Sequence, residues 1–188
     1  MKATFVLLAD PPAENLGRKL MLKANQIGDT GFEMARLPHH ISLKQPFKIK
    51  SLDDIEAYFD SFAQSLSPIT AKLQDVVLWP SNVFGYESGV LVVAVEKTSE
   101  LFDLHIRLNR ELEEKFGACP AGFDGELYSI HMTFALGGVT YEQYEKVYAQ
   151  LSKEEVGAEY TFSELGLLFY DNDDIKPGTY FCYKRVRL

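Results

Sequence analysis

Cysteine is scarce in this chain. Its 188 residues include two, Cys119 and Cys182, with no CxxC pair and no Cys/His cluster. That excludes a disulfide framework and a thiolate zinc site, and it fits a reducing cytoplasm. Long apolar runs are missing as well. The apolar opening, residues 3–9, is seven residues long and stops at Asp10-Pro11-Pro12 without a convincing cleavage site. It reads as a first β-strand rather than a signal peptide. No stretch approaches the roughly 20 apolar residues of a membrane span. Positive charge is the minority sign, with 19 basic against 27 acidic groups and a net charge of −8. Bulk charge therefore argues against coating long DNA or RNA, or an anionic membrane. A local pocket for one small phosphate remains compatible with it.

What is present is ordinary for a globular chain: 46% apolar and 24% charged residues. The length suits one domain or two small lobes. The acidity is lopsided. Residues 1–97 carry 10 basic and 11 acidic groups, residues 98–188 carry 9 and 16.

Periodicity and capping residues predict alternating elements. A strand at 3–9 is followed by a helix from Pro11-Pro12 to about Gln26. A strand is expected at 39–49, then a helix capped by Ser51, then strands at 69–79 and 89–96. Thr98 or Ser99 caps a helix to about Phe116. A strand at 129–136 follows, then a helix capped by Thr140, then strands at 159–170 and 179–187. Aligned on His40 and His131, the two halves repeat this order. The next caps, Ser51 and Thr140, lie 11 and 9 residues on, and the following strands 29 and 28 residues on. The expected architecture is α+β: a single bilobal domain over 1–188, with lobe 1 about 1–97 and lobe 2 about 98–188. Two antiparallel-type sheets would face a central cleft, with helices outside.

Each anchor has the same local form. The first is His40-Ile41-Ser42-Leu43 and the second is His131-Met132-Thr133-Phe134. Residues i and i+2 share a strand face. His40 with Ser42, and His131 with Thr133, therefore show an imidazole–hydroxyl pair on one face and bury apolar residues on the other. No Asp or Glu occurs between Glu33 and Asp53, nor between Glu126 and Glu142. Carboxylates, which would repel a phosphodiester, are thus absent around both motifs. Lys44 lies two residues past Ser42 and is a candidate to add positive charge to the site, though a solvated lysine is the commoner outcome. His39 alternates away from His40 and reads as structural or at a strand edge, and His105, in a helix, as a surface residue. Trp79, Phe84, Tyr86 and Tyr128 are candidates to stack on a base or ribose, with core or loop packing the commoner role of such rings.

Two His-x-Ser/Thr tetrads on strands of a duplicated α+β chain resemble the two-histidine phosphoesterase superfamily, whose best-known branch comprises the bacterial 2′-5′ RNA ligases and cyclic phosphodiesterases. The run His-Ile-Ser-Leu-Lys-Gln-Pro-Phe at 40–47 is similar to the small branch found in Firmicutes. The resemblance covers nearly the whole chain. It departs at Ser42, where Thr is commoner, and at Ile130, where proline is frequent. It implies metal-independent phosphodiester chemistry with no cofactor. His40 and His131 would be the acid–base pair, Ser42 and Thr133 the phosphate ligands, and Lys44 a candidate addition. The partner implied is a small nucleotide, a cyclic phosphate or an RNA terminus. A cytoplasmic monomer is expected. The alternative is a module on the same fold that holds a nucleotide or RNA end without turnover.

Overall fold

The computed structural model describes residues 1–188. Nine strands and four helices alternate along the chain. In order they are β1 (Lys2–Leu8), α1 (Pro11–Gly28), β2 (His40–Ser42), β3 (Phe47–Lys48), α2 (Leu52–Ala63), β4 (Ile69–Ser81), β5 (Ser88–Val95), α3 (Ser99–Phe116), β6 (His131–Leu136), α4 (Tyr141–Leu151), β7 (Glu159–Phe162), β8 (Glu164–Tyr170) and β9 (Tyr180–Arg187). The expected caps form. Ser51, Thr98 and Thr140 each accept a hydrogen bond from the backbone N–H three residues on, which satisfies a donor that the helix itself cannot.

All pairings are antiparallel, and the strand order is β7-β4-β5-β6-β2-β1-β8-β9, with β3 also on β1. Two four-stranded halves meet at one junction, where Ile41 of β2 faces Met132 of β6. The result is one curled antiparallel sheet, with the two expected sheets as its halves. The motif strands are therefore hydrogen-bonded neighbours rather than members of faces opposed across a cleft. Each half also takes strands from both ends of the chain: β7 docks on β4, and β8 and β9 extend from β1.

The order reads symmetrically outward from the β2–β6 junction. β1 corresponds to β5, and β8 to β4. The repeated unit is thus strand–helix–strand–helix–strand, and it begins again at β5. Both long helices, α1 and α3, have 18 residues. This frame cuts the chain before β5, near residue 88, instead of at 97/98, and makes β5 the counterpart of β1 rather than of the last strand. A unit repeated without a gap fits its own sequence in either frame; only the hydrogen-bonding partners choose between them.

The helices pack in matching pairs on the face that carries Ile41 and Met132. In one pair, a Cβ at Gly28 of α1 would lie 2.3 Å from Cγ2 of Val147 of α4, so only glycine permits this approach. In the other, Tyr58 of α2 donates to Glu111 of α3 at 2.9 Å and meets Phe116 edge to face. Between sheet and helices lies a core of 37 buried apolar residues, including Phe5, Leu7, Ile41, Met132 and Phe134. Burying such side chains stabilises by roughly 1.5–3 kcal/mol each. The core fixes which face of β2 and β6 points inward, and so which face carries the histidines.

Candidate active site

The Ile41–Met132 pairing sets the geometry of the site. In antiparallel register it puts His40 across from Thr133 and Ser42 across from His131. Directly opposed residues on one face stand about 4.5–5.5 Å apart, and diagonal ones about 7–8 Å. The four side chains form a rectangle at the centre of the sheet, with the histidines on one diagonal and the hydroxyls on the other. All four line a cavity of about 680 Å³ on the face opposite the helices. A tetrahedral group over that rectangle meets two imidazoles and two hydroxyls at once.

Both histidines are held alike. His40 Nδ1 lies 2.8 Å from the carbonyl oxygen of Pro38, and His131 Nδ1 lies 2.7 Å from that of Ser129. A carbonyl only accepts, so Nδ1 carries the proton in each and Nε2 is left for chemistry. Surroundings differ. His40 is 9% exposed. Burial pushes its pKa down to about 4, the nearby His39 and His131 press the same way, and the Pro38 carbonyl opposes. His131 is half-buried. Burial lowers its pKa too, against the Ser129 carbonyl, while Trp79 meets it edge to face with centroids 4.9 Å apart.

The cavity walls contain no Asp, Glu, Lys or Arg. The acid-free stretches around both motifs do converge, but so does a lack of formal positive charge. Lys44 is the sequence candidate that the structure takes away. Opposite Thr4 and Phe5 of β1, the chain between β2 and β3 spends four residues, 43–46. This bulge, bounded by Pro46, turns Lys44 away from the face of Ser42. Its side chain is 2% exposed, donates to Asp124 at 2.5 Å and to Asn109 Oδ1, and lies over the Phe47 ring at 5.3 Å. It is neither solvated nor at the cavity.

His105 is a second correction. The helix surface expected for it is covered: the residue is 1% exposed. Its Nδ1 donates to the Leu43 carbonyl at 2.7 Å and its Nε2 accepts the Gly125 N–H at 2.9 Å. The ring stacks flat on Tyr128, centroids 4.0 Å apart, and Tyr128 donates to the Ser42 carbonyl at 2.6 Å. With both nitrogens used, His105 is a brace for the backbone of the first motif. His39 is structural, as expected. Its ring fills the space over Gly17, where a Cβ would come within 2.5 Å, and its Nδ1 donates to the Thr133 carbonyl at 3.1 Å. Of the aromatic candidates, Trp79 and Tyr128 line the cavity. Phe84 and Tyr86 instead pack at Gly137. Sequence reasoning missed Gln45, Ser81, Asn82, Tyr170 and Tyr180 in the walls; they come from four separate segments with no shared spacing.

No three His, Cys, Asp or Glu side chains gather into a metal-ligating group. No helix is long and apolar enough to cross a membrane.

Comparison with known proteins bears on the fold and the family. A Staphylococcus aureus (strain Newman) protein named "Putative phosphoesterase" is 26% identical over 147 residues, covering 77% of this chain and 79% of that protein. The crystal structure of TT0787 of Thermus thermophilus covers 98% of its own chain and 100% of this one with a TM-score of 0.65 at 16% identity. That of Escherichia coli LigT complexed with 3′-AMP covers 97% and 100%, with a TM-score of 0.59 at 16% identity. These two likenesses concern the fold. The family model described as the 2′-5′ RNA ligase superfamily matches residues 21–174, and on that match the chain belongs to this superfamily.

Proposed function

We propose that the protein is a metal-independent phosphoesterase that opens a small nucleotide or RNA-end phosphodiester, a 2′,3′-cyclic phosphate being the simplest case. The observation that carries this reading is the rectangle of His40, Ser42, His131 and Thr133 on the floor of one cavity. Phosphodiester cleavage needs a base for the attacking water and an acid for the departing oxygen, and imidazole serves both roles near neutral pH. Membership of the superfamily, a relative named as a phosphoesterase and the LigT complex with 3′-AMP point the same way.

The difference in enclosure favours one division of roles. His40, kept neutral by its enclosure, takes the proton of the attacking water at Nε2. Water oxygen bonds to phosphorus as one ring P–O bond breaks. His131, the more open imidazole beside Trp79, enters protonated and gives its Nε2 proton to the freed ribose oxygen. The product is a phosphomonoester beside a free hydroxyl. Ser42 and Thr133 donate to the non-bridging oxygens as negative charge builds on them. With a ribose hydroxyl of a second end attacking in place of water, the same proton transfers open the ring and join the two ends as a phosphodiester. With no formal charge in the walls, the imidazolium is the cation that meets the phosphate, and binding of that anion in turn favours the protonated ring.

The test is turnover of 2′,3′-cyclic and 1″,2″-cyclic phosphates with EDTA present. Product formation that is lost in both His40→Ala and His131→Ala is the expected result. Full activity in either variant contradicts the mechanism, and nucleotide affinity without any product identifies a binding module instead.

A further inference from the structure

The segment 117–130 joins α3 to β6 and passes the mouth of the cavity. Its middle is pinned at three consecutive residues. Asp124 accepts from Lys44 Nζ at 2.5 Å, the Gly125 N–H donates to His105 Nε2 at 2.9 Å, and the Glu126 carbonyl accepts from Lys97 Nζ at 2.6 Å. Immediately before and after these pins stand Phe123 and Leu127. They are 84% and 89% exposed, while no other large apolar side chain exceeds 49%. Both belong to the cavity lining. Phe123 also holds φ at 65°, the left-handed region that a bulky residue adopts only under strain.

Each of these features is unfavourable in the free protein. A lysine is buried, which is costly even when paired. An aromatic residue sits in a glycine conformation. Two large apolar side chains are bared on one loop. A ligand that covers Phe123 and Leu127 accounts for all three, since the pins and the strain then serve to aim them. The rectangle of histidines and hydroxyls takes the phosphate, and the rest of the cavity is uncharged and rich in rings. What such a wall recognises is the flat, weakly polar face of a nucleobase.

We propose that Phe123 and Leu127 form a subsite for the nucleobase of the substrate, and that Lys44 is the positioning residue that holds their loop at the cavity mouth. This rests on the reading of the rectangle as a phosphate site. It gives Lys44 a part in substrate recognition without contact to phosphate.

Calorimetric titration of the full chain with adenosine 3′-monophosphate and with inorganic phosphate tests it. Phe123→Ala is expected to weaken nucleotide binding about tenfold, in the range found when an aromatic under a base is removed, and to leave inorganic phosphate unchanged. Phe123→Gly is expected to do the same while holding or raising Tm, because glycine relieves the positive φ; a purely structural residue would lower Tm instead. Phe123→Tyr restores nucleotide affinity. Lys44→Met weakens the nucleotide alone; if that variant does not fold, the two Phe123 variants decide. The proposal is overturned if the wild-type chain binds the nucleotide no more tightly than phosphate, if Phe123→Ala binds it as tightly as wild type, or if both ligands weaken together. Failure of the hydrolase reading leaves a different mark: nucleotide binding that depends on Phe123 with no turnover of cyclic phosphates.

Discussion

His40 and His131 share one local frame and differ in what surrounds it. Each pins Nδ1 on the carbonyl two residues back and each lies beside a hydroxyl across the β2–β6 junction. Yet His40 is closed in by its neighbours, while His131 is half-open and touches an indole. Duplication supplies two equivalent imidazoles, and equivalence alone gives no reaction, because one must take a proton as the other gives one. The asymmetry comes from residues that the two units do not share: His39 before the first motif, where the second has Ile130, and Trp79 against His131. A symmetric scaffold sets the distance between the groups, and on the proposed mechanism unsymmetric packing favours His40 as base and His131 as acid.

The largest expected effect comes from removing either member of the pair. His40→Gln and His131→Gln each lower kcat for a cyclic phosphate by about a hundred- to ten-thousandfold, and the double variant falls little further, since the two act as a unit. Steady-state rates of the three variants with EDTA present check this. Smaller losses follow at the hydroxyls. Ser42→Ala and Thr133→Val each lower kcat by about ten- to a hundredfold, whereas Ser42→Thr and Thr133→Ser retain most of it; near-equal losses at the two sites would show that the phosphate spans the junction evenly.

Acid sharpens the contrast through stability. Folding lowers the His40 pKa to about 4, so between that value and the ordinary one of about 6.5 the unfolded chain binds more protons. The contribution is fully present above about pH 6.5 and is lost as pH falls towards 4, on the order of 3 kcal/mol. Urea unfolding at a series of pH values is expected to show this loss, with a shallower slope in His40→Gln. His39, His105 and His131 are also lowered by burial and add to it in the same direction. The smallest effect belongs to Trp79. Its contact with His131 is worth about 0.5–1 kcal/mol to the charged ring, so Trp79→Leu lowers the pKa of the alkaline limb of the pH–rate profile, set by the general acid, by about half a unit and leaves the acidic limb, set by His40, unmoved.

The parts of this arrangement that local chemistry decides were legible in the sequence. Alternation around His40 and His131 showed which face each imidazole takes, and Ser51, Thr98 and Thr140 marked helix starts. Absence of carboxylates near both motifs foretold a cavity without acid. What depended on partners far along the chain was not legible. Lys44 follows strand parity on paper, but two extra residues opposite β1 turn it into the core. The closest partners of the His105 ring lie outside its helix: the Leu43 carbonyl and the Gly125 N–H, 62 and 20 residues away. The side-by-side placement of β2 and β6 is likewise fixed by hydrogen bonds between strands, which no spacing within one strand encodes.

The central claim is that one phosphate is shared by both imidazoles. Long-range proton–nitrogen NMR of the ¹⁵N-labelled chain, titrated with inorganic phosphate, addresses it directly. The account requires His40 and His131 Nε2 to shift together along one binding curve, with Nδ1 of both remaining protonated. Movement of one histidine alone, or of the two with different affinities, would contradict it.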